Sequence, residues 1–284
     1  MTDRLAQIRH VALDMDGTIY KGSTVFDATH GFLKLLTELG IGHTFLTNNS
    51  SKSTRDYLEH LKSFGIRAAA DQLYTSTQAT IGFLRHERPS VNRLFVLGTA
   101  SMISELNEAG FIATEDSPQD VPDAVLAGFD THLTFSRLCR AAWWIKQGKP
   151  FFATHPDRVC PTDQPTVWVD CGSICAALKE ATGRAPEAIP GKPDARMLQG
   201  ILRKHSLKPE QLAMVGDRLY TDMLMARNAG AVAVLVLTGE TTAAEAAAHS
   251  PAPDFVASGL KEFGEKLLRA RSIPSGLGGP ARPV

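Results

Sequence analysis

The sequence predicts an α/β fold, a doubly wound parallel sheet that carries a second α/β unit inserted within it. Three observations predict this. Short β-branched runs alternate with helix-period stretches at both ends of the chain. The runs Val11-Ala12-Leu13 and Val232-Ala233-Val234-Leu235-Val236 are apolar on both faces, as strands are when helices cover both sides of a parallel sheet. The chain has 284 residues, more than one average domain of about 150.

In chain order, Ile8 to Asp14 reads as the first strand, about Asp27 to Leu39 as a helix, His43 to Asn48 as a strand and about Ser53 to Phe64 as a helix. Gly40 and Gly65 follow those helices where a chain-reversing glycine belongs. The middle, about Thr80 to Pro190, holds strand-like runs at Arg93 to Leu97, Ala124 to Ala127 and Phe151 to Thr154, with helices near Ala100 to Ala109 and Ser136 to Gln147. The first rhythm then returns. Pro193 to about His205 is predicted helical with proline in its first turn, Gln211 to Asp217 a strand, Leu219 to Asn228 a helix and Ala231 to Leu237 a strand. From Arg271 onward Gly and Pro are too dense to pack, so a disordered tail is expected. The expected division is 1–80 with 190–270 as a discontinuous core, 81–189 as the inserted unit and 271–284 as the tail.

Composition excludes several functions. Thirty Lys plus Arg balance thirty Asp plus Glu, so no broad positive field exists to grip a polyanion, and neither nucleic acid nor a membrane surface is an expected partner. The first ten residues lack the apolar run of a signal peptide and no window is apolar enough to span a bilayer, so the expected address is the cytoplasm. Cys139, Cys160, Cys171 and Cys175 form no Cys-x-x-Cys pair, which favours buried free thiols over zinc or disulfides.

In a doubly wound sheet the ligand crevice lies beyond the carboxyl ends of the strands. The first strand runs out into Asp14-Met15-Asp16-Gly17-Thr18, where two carboxylates two residues apart repel unless a cation or a shared proton relieves them. The next strand ends Thr47-Asn48-Asn49-Ser50, a hydroxyl and amides suited to an anion. Lys192, in Pro190-Gly191-Lys192-Pro193-Asp194, precedes a predicted helix and belongs to no Gly-x4-Gly-Lys-Ser/Thr loop. The strand before Gly216-Asp217-Arg218-Leu219-Tyr220-Thr221-Asp222 again delivers acids, and oxygen-only ligands suit Mg²⁺ rather than zinc. The Asp-Met-Asp-Gly-Thr turn stands where a dinucleotide-binding protein has Gly-x-Gly-x-x-Gly.

This constellation resembles the haloacid dehalogenase superfamily of phosphohydrolases over nearly the whole chain except the tail. The resemblance implies Asp14 as nucleophile, Asp16 as acid/base, and Thr47, Asn48 and Lys192 as phosphate-holding groups. It implies magnesium held by Asp14, the Asp16 backbone carbonyl, Asp217 and Asp222. Thr47 and Lys192 lie 145 residues apart, room for a cap domain that the 33 residues between Asp14 and Thr47 cannot supply. A cap at that place is similar to the class IIA, NagD-type branch, as are Leu97-Gly98-Thr99 and Ala153-Thr154-His155-Pro156-Asp157, although that branch often has Asn at the place of His155. The expected reaction is Mg²⁺-dependent hydrolysis of a small phosphorylated metabolite through an aspartyl phosphate. His155, Asp157, Arg158 and the Asp170-Cys171-Gly172-Ser173 loop are the candidate cap contacts, and a homodimer through the cap is the family-based guess. A phosphomutase or phosphotransferase, or a non-catalytic phosphate-binding switch, are the alternatives.

Overall fold

The computed structural model describes residues 2–160, 162 and 165–272. Strand β1 (His10–Asp14) is buried along its whole length. Its residues alternate between two apolar clusters, Val11 and Leu13 facing one side and Ala12 the other, as the two-residue period of a strand requires. A small antiparallel hairpin, β2 (Tyr20–Lys21) and β3 (Thr24–Val25), comes next, then β4 (Gly42–Thr47) and β5 (Leu73–Thr75). The middle of the chain builds a separate sheet from β6 (Arg93–Leu97), β7 (Ile112–Ala113), β8 (Ala124–Ala127) and β9 (Phe151–Ala153), and a hairpin of β10 (Val159–Cys160) with β11 (Trp168–Val169). The chain then rejoins the first sheet as β12 (Leu212–Gly216), β13 (Val232–Val236) and β14 (Phe255–Ala257).

The larger sheet has the order β14-β13-β12-β1-β4-β5 and every pairing in it is parallel. Helices Ala28–Glu38, Thr54–Ser63 and Leu260–Ser272 cover one face, and Arg196–Lys204 with Leu224–Ala229 cover the other. The chain leaves β1 towards β4 and returns on the opposite side at β12. The crevice of this topology therefore opens at the carboxyl ends of β1 and β12, where Asp14 and Asp217 stand. The second sheet, β7-β6-β8-β9, is also parallel and forms the cap, with its own buried clusters. Helix Ser76–Glu87 joins the two units, with Ala79 packed in the core and Ile81, Phe83 and Leu84 in the cap.

Local chemistry explains most element ends. Ser53 caps its helix by accepting from the Asp56 N–H while the Asp56 carboxylate accepts from the Ser53 N–H. Gly40 and Gly65 adopt φ of 64° and 73° after the first two long helices, a conformation a side chain resists.

Several expectations are corrected. The helix after Lys192 starts at Arg196 rather than Pro193, because Asp194 closes a turn back to Gly191 and its carboxylate takes the Arg196 N–H at 2.8 Å. Leu219–Met223 is a wide π turn and the α-helix begins only at Leu224. Cys171–Ser173 is not a loop, since Asp170 caps a helix that runs from Cys171 to Thr182. The cysteines are not uniformly buried as expected: Cys171 and Cys175 are buried, but Cys139 is exposed and Cys160 half-buried. Arg271 belongs to the last helix, where its guanidinium donates to the Leu39 carbonyl at 3.0 Å and to that of Ile8. The rest of the expected tail, 273–284, lies outside the described residues. Among the described residues no helix is long and apolar enough to cross a membrane.

The start of β1 predicts an acid response. His10 is buried, its ring stacks on His205 at 4.3 Å and its Nε2 meets Thr44 Oγ1 at 2.8 Å. Burial, then the nearby His205, His43 and Lys204, pushes its pKa from 6.5 down to about 3. The neutral ring is the folded form, so its stabilisation is full above pH 6.5 and is lost as pH falls towards 3. Melting temperature should drop over that interval, and drop less in His10→Gln. Parallel pH profiles in the two proteins would acquit His10.

Candidate active site

Four chain segments converge at the carboxyl edge of the core sheet. Asp14, at the end of β1, is buried, and one of its oxygens accepts from Thr18 Oγ1 at 3.2 Å. Asp217 follows β12, and Asp222 is fully buried in the π turn, where its Oδ2 accepts from the Arg218 N–H at 3.2 Å. Lys192 Nζ bridges Asp14 Oδ1 and Asp222 Oδ1, the latter at 2.8 Å. Burial opposes the charge of Lys192, but Asp14 and Asp222 outweigh it and hold its pKa above the ordinary lysine range.

Lys192 pairs with two of three clustered carboxylates. Burial first, then the charges of Asp14 and Asp222, raises Asp217 to about 7. Burial and Asp14 raise Asp222 to about 6 against the pull of Lys192. Asp217 Oδ2 accepts from the Glu240 N–H at 2.7 Å, whereas buried Oδ1 has no partner among the described residues. Gly17, at φ +82°, lets the β1 turn lie against Asp217, because a Cβ there would strike the carboxylate. Ligand oxygens of Asp14, Asp217 and Asp222 lie within 4.8 Å of one another. This oxygen-only set with an orphan oxygen fits a hard divalent cation such as Mg²⁺. The Asp16 carboxylate is not part of that group, so a role for Asp16 in holding metal rests on its backbone carbonyl.

Asp16 instead opens into the cleft between core and cap. Asp16 keeps exposed surface and also borders the opening beside Gly17, Lys21 and Glu240. Desolvation, joined by the charge of Asp14, raises its carboxyl to about 6 against Arg218, Lys52 and Lys192. The innermost part of the cleft, about 50 Å³, is lined by Asp14, Asp16, Thr47, Asn48, Lys192, Arg218 and Thr221 from the core. Asp157, Val159, Cys160 and Asp170 close it from the cap.

The other expected residues take different places. Thr47 ends β4 and lines the cleft, its Oγ1 accepting from the Asn49 N–H at 3.2 Å. The Asn48 side chain is committed to neighbours. It donates to the Lys192 carbonyl at 3.0 Å and to both Asp157 oxygens at 3.3 and 3.2 Å, and it accepts from the Lys192 N–H at 2.8 Å. Of the cap candidates, Asp157 faces the cleft. His155 is fully buried behind Asp170, and Arg158 is exposed, with its carbonyl turned inward to accept from the Asp170 N–H and the Ser173 hydroxyl.

Arg218 carries more of the site than the sequence suggested. Its guanidinium lies 4.0 Å from Asp157 and 2.9 Å from Glu240, so it spans core and cap. An arginine between two acids just past a strand end was the available signal. Cys160, a lining residue from the β10–β11 hairpin, carried no signal of its own.

The chain is similar to known proteins in sequence and in fold. A haloacid dehalogenase-like hydrolase family profile matches residues 11–112 and a HAD-hydrolase-like profile matches 189–263. An acid sugar phosphatase of Staphylococcus saprophyticus is 30% identical over 255 residues, 90% of this chain and 96% of that protein. Among solved structures, a 4-nitrophenylphosphatase of Thermotoga maritima is 38% identical with a TM-score of 0.87, covering 92% of this chain and 98% of the other. NagD of E. coli K-12 is 28% identical with a TM-score of 0.81, covering 90% and 98%. A Mycobacterium tuberculosis glycerol phosphate phosphatase solved with magnesium is 26% identical with a TM-score of 0.85, covering 98% and 85%.

Proposed function

Given that the chain belongs to the haloacid dehalogenase-like hydrolases, of NagD type, and is a phosphatase, we propose that it hydrolyses small phosphate monoesters through an aspartyl phosphate on Asp14. The observation that carries this reading is the bridge of Lys192 between Asp14 and Asp222, beside an Asp217 oxygen that has no partner among the described residues. Asp14, Asp217 and Asp222, joined by the Asp16 carbonyl, would hold Mg²⁺, which would supply positive charge to let a dianionic phosphate approach these acids.

The residues divide the work. An Asp14 oxygen attacks phosphorus in line and the ester P–O bond breaks, while Asp16 passes its proton to the departing alcohol oxygen. With its carboxyl raised to about 6, Asp16 keeps a usable protonated fraction near neutral pH. As a carboxylate it then takes a proton from water, which attacks phosphorus of the aspartyl phosphate, frees inorganic phosphate and restores Asp14. Thr47, backbone N–H groups of its loop and Lys192 hold the non-bridging oxygens. The cap closes over the reacting group, which favours a small metabolite over a phosphoprotein. We place the enzyme in the cytoplasm, with two copies pairing through the cap, whose Val159, Val167, Trp168 and Val169 are exposed.

A pair of esters tests the division of labour. p-Nitrophenolate leaves without a proton, whereas an alkoxide does not. Because the later water step is common to both esters, the comparison is made on alcohol release within the first turnover: Asp16→Asn should slow release of glycerol about 10²-fold more than release of p-nitrophenolate. Equal first-turnover losses on both esters remove Asp16 as the acid, and a wild-type protein that hydrolyses neither ester removes the proposed activity.

A further inference from the structure

We propose that His155 is a positioning residue for this site: paired with Asp170, it fixes the Thr154–Asp157 turn of the cap against Asn48 and, through Asn48, the backbone of Lys192. The inference rests on the phosphatase reading and deepens it by naming how the cap sets the phosphate-holding loops.

The contacts form a closed circuit. His155 is fully buried at the end of β9 and its Nε2 donates to Asp170 Oδ1 at 2.9 Å. Its Nδ1 lies 2.7 Å from Thr154 Oγ1, whose hydroxyl in turn reaches Ser50 Oγ of the core loop at 3.2 Å. The same Asp170 oxygen accepts the Cys171 N–H at 2.6 Å, capping the cap helix, and the next N–H, of Gly172, donates to the Asp157 carbonyl at 2.7 Å. The Thr154 carbonyl accepts from the Gly191 N–H of the core at 2.9 Å. Gly191 must be glycine here, because a Cβ would collide with that carbonyl, Asn48 Oδ1 and His155 Cβ. Asn48 closes the circuit by holding Asp157 on one side and both backbone polar groups of Lys192 on the other.

With the Thr154 hydroxyl donating to Ser50, both ring nitrogens of His155 face acceptors, an arrangement that suits an imidazolium. Burial opposes its charge, yet Cys171, the hydrogen bond to Asp170 and the charges of Asp170 and Asp157 together raise its pKa to about 9. Without the second proton the Nε2–H still donates to Asp170, but the positive charge that offsets this buried carboxylate is lost. Ligand atoms of His155, Asp157 and Asp170 also lie within 4.8 Å of one another, the spacing of a metal group. Here Asp157 already gives both oxygens to Asn48 and lies 4.0 Å from Arg218, and Asp170 accepts a backbone N–H. These commitments assign the trio to hydrogen bonding rather than to a metal.

Calorimetric titration with inorganic phosphate, on full-length protein with Mg²⁺ present, reads the phosphate loops whether or not esters turn over. His155→Gln and Asp170→Asn, each checked for folding by thermal melting, should weaken phosphate binding by about tenfold, the scale of one lost hydrogen bond to a charged group. KM for p-nitrophenyl phosphate should rise in parallel, with kcat changed by less than about threefold, because the reacting carboxylates are untouched. The double variant keeps an amide-to-amide hydrogen bond and an asparagine helix cap without net charge, so phosphate affinity should recover to within about threefold of wild type. Unchanged phosphate affinity in either folded single variant overturns the proposal, as does a double variant no better than the singles. A transition metal that co-purifies with the wild type and is lost in His155→Gln also overturns it, by assigning the trio to an ion. Absence of wild-type turnover strikes the phosphatase reading instead, and leaves the binding result to stand or fall separately.

Discussion

Replacing Asp14 with asparagine is expected to abolish turnover of every phosphate ester, by about 10⁴-fold or more, in a protein that remains folded. The amide has nearly the shape of the carboxylate but cannot form an acyl phosphate. Lys192 keeps Asp222 at 2.8 Å, so its charge is not left without a counterion. The substitution also takes one negative charge out of a site that must admit a dianion, so inorganic phosphate should bind the variant as tightly as the wild type or tighter. Loss of turnover with retained phosphate binding separates a missing nucleophile from a collapsed site. Full turnover by purified Asp14→Asn would remove the mechanism.

Removing the divalent ion should have an effect of similar size. Asp14, Asp217 and Asp222 together with a phosphate dianion bring up to about five negative charges against the two positive charges of Lys192 and Arg218, and like charges a few ångströms apart oppose one another by several kcal/mol at intermediate dielectric. Chelation is expected to lower kcat by about 10³-fold or more, with recovery on adding Mg²⁺. A binding readout accompanies it. Mg²⁺ at about a hundred times its dissociation constant should stabilise the fold by about 2.7 kcal/mol, seen as a higher melting temperature. Asp217→Asn should remove that shift, because it neutralises the ligand whose Oδ1 has no other partner among the described residues. Undiminished turnover after exhaustive chelation would contradict the charge argument for the metal.

The sequence was readable where a short pattern carries the information. Strands β1 and β12 carry apolar runs that give way abruptly to Asp14 and Asp217, and the Phe45-Leu46 pair of β4 gives way to Thr47, so both the element and the place of its polar end are local facts. Lys192 needed no neighbour in sequence to be singled out, but its two ion pairs reach 178 and 30 residues along the chain, to Asp14 and Asp222, and no local pattern encodes such distances. The same holds for Asn48, whose partner Asp157 is 109 residues away and which therefore read as an anion-binding amide rather than a strut. Arg158 sits next to Asp157 in sequence but on the other side of the turn, where only its carbonyl faces inward. Asp170-Cys171-Gly172-Ser173 reads as a turn because Asp and Gly favour one. In the folded chain the same aspartate is a helix cap, since His155 and the Cys171 N–H converge on its carboxylate. His155 reads in sequence as a cap contact, but its burial and its pairing with Asp170, 15 residues on, are set by the fold.

The covalent step is open to direct observation. Wild-type protein mixed with excess p-nitrophenyl phosphate and Mg²⁺, then quenched in acid within the first turnover, should gain the mass of one phosphoryl group. Peptide mapping should locate that group on Asp14, and its decay should match the rate of phosphate release. A quenched enzyme that turns over rapidly yet carries no phosphoryl group, or carries it on another residue, would contradict the account.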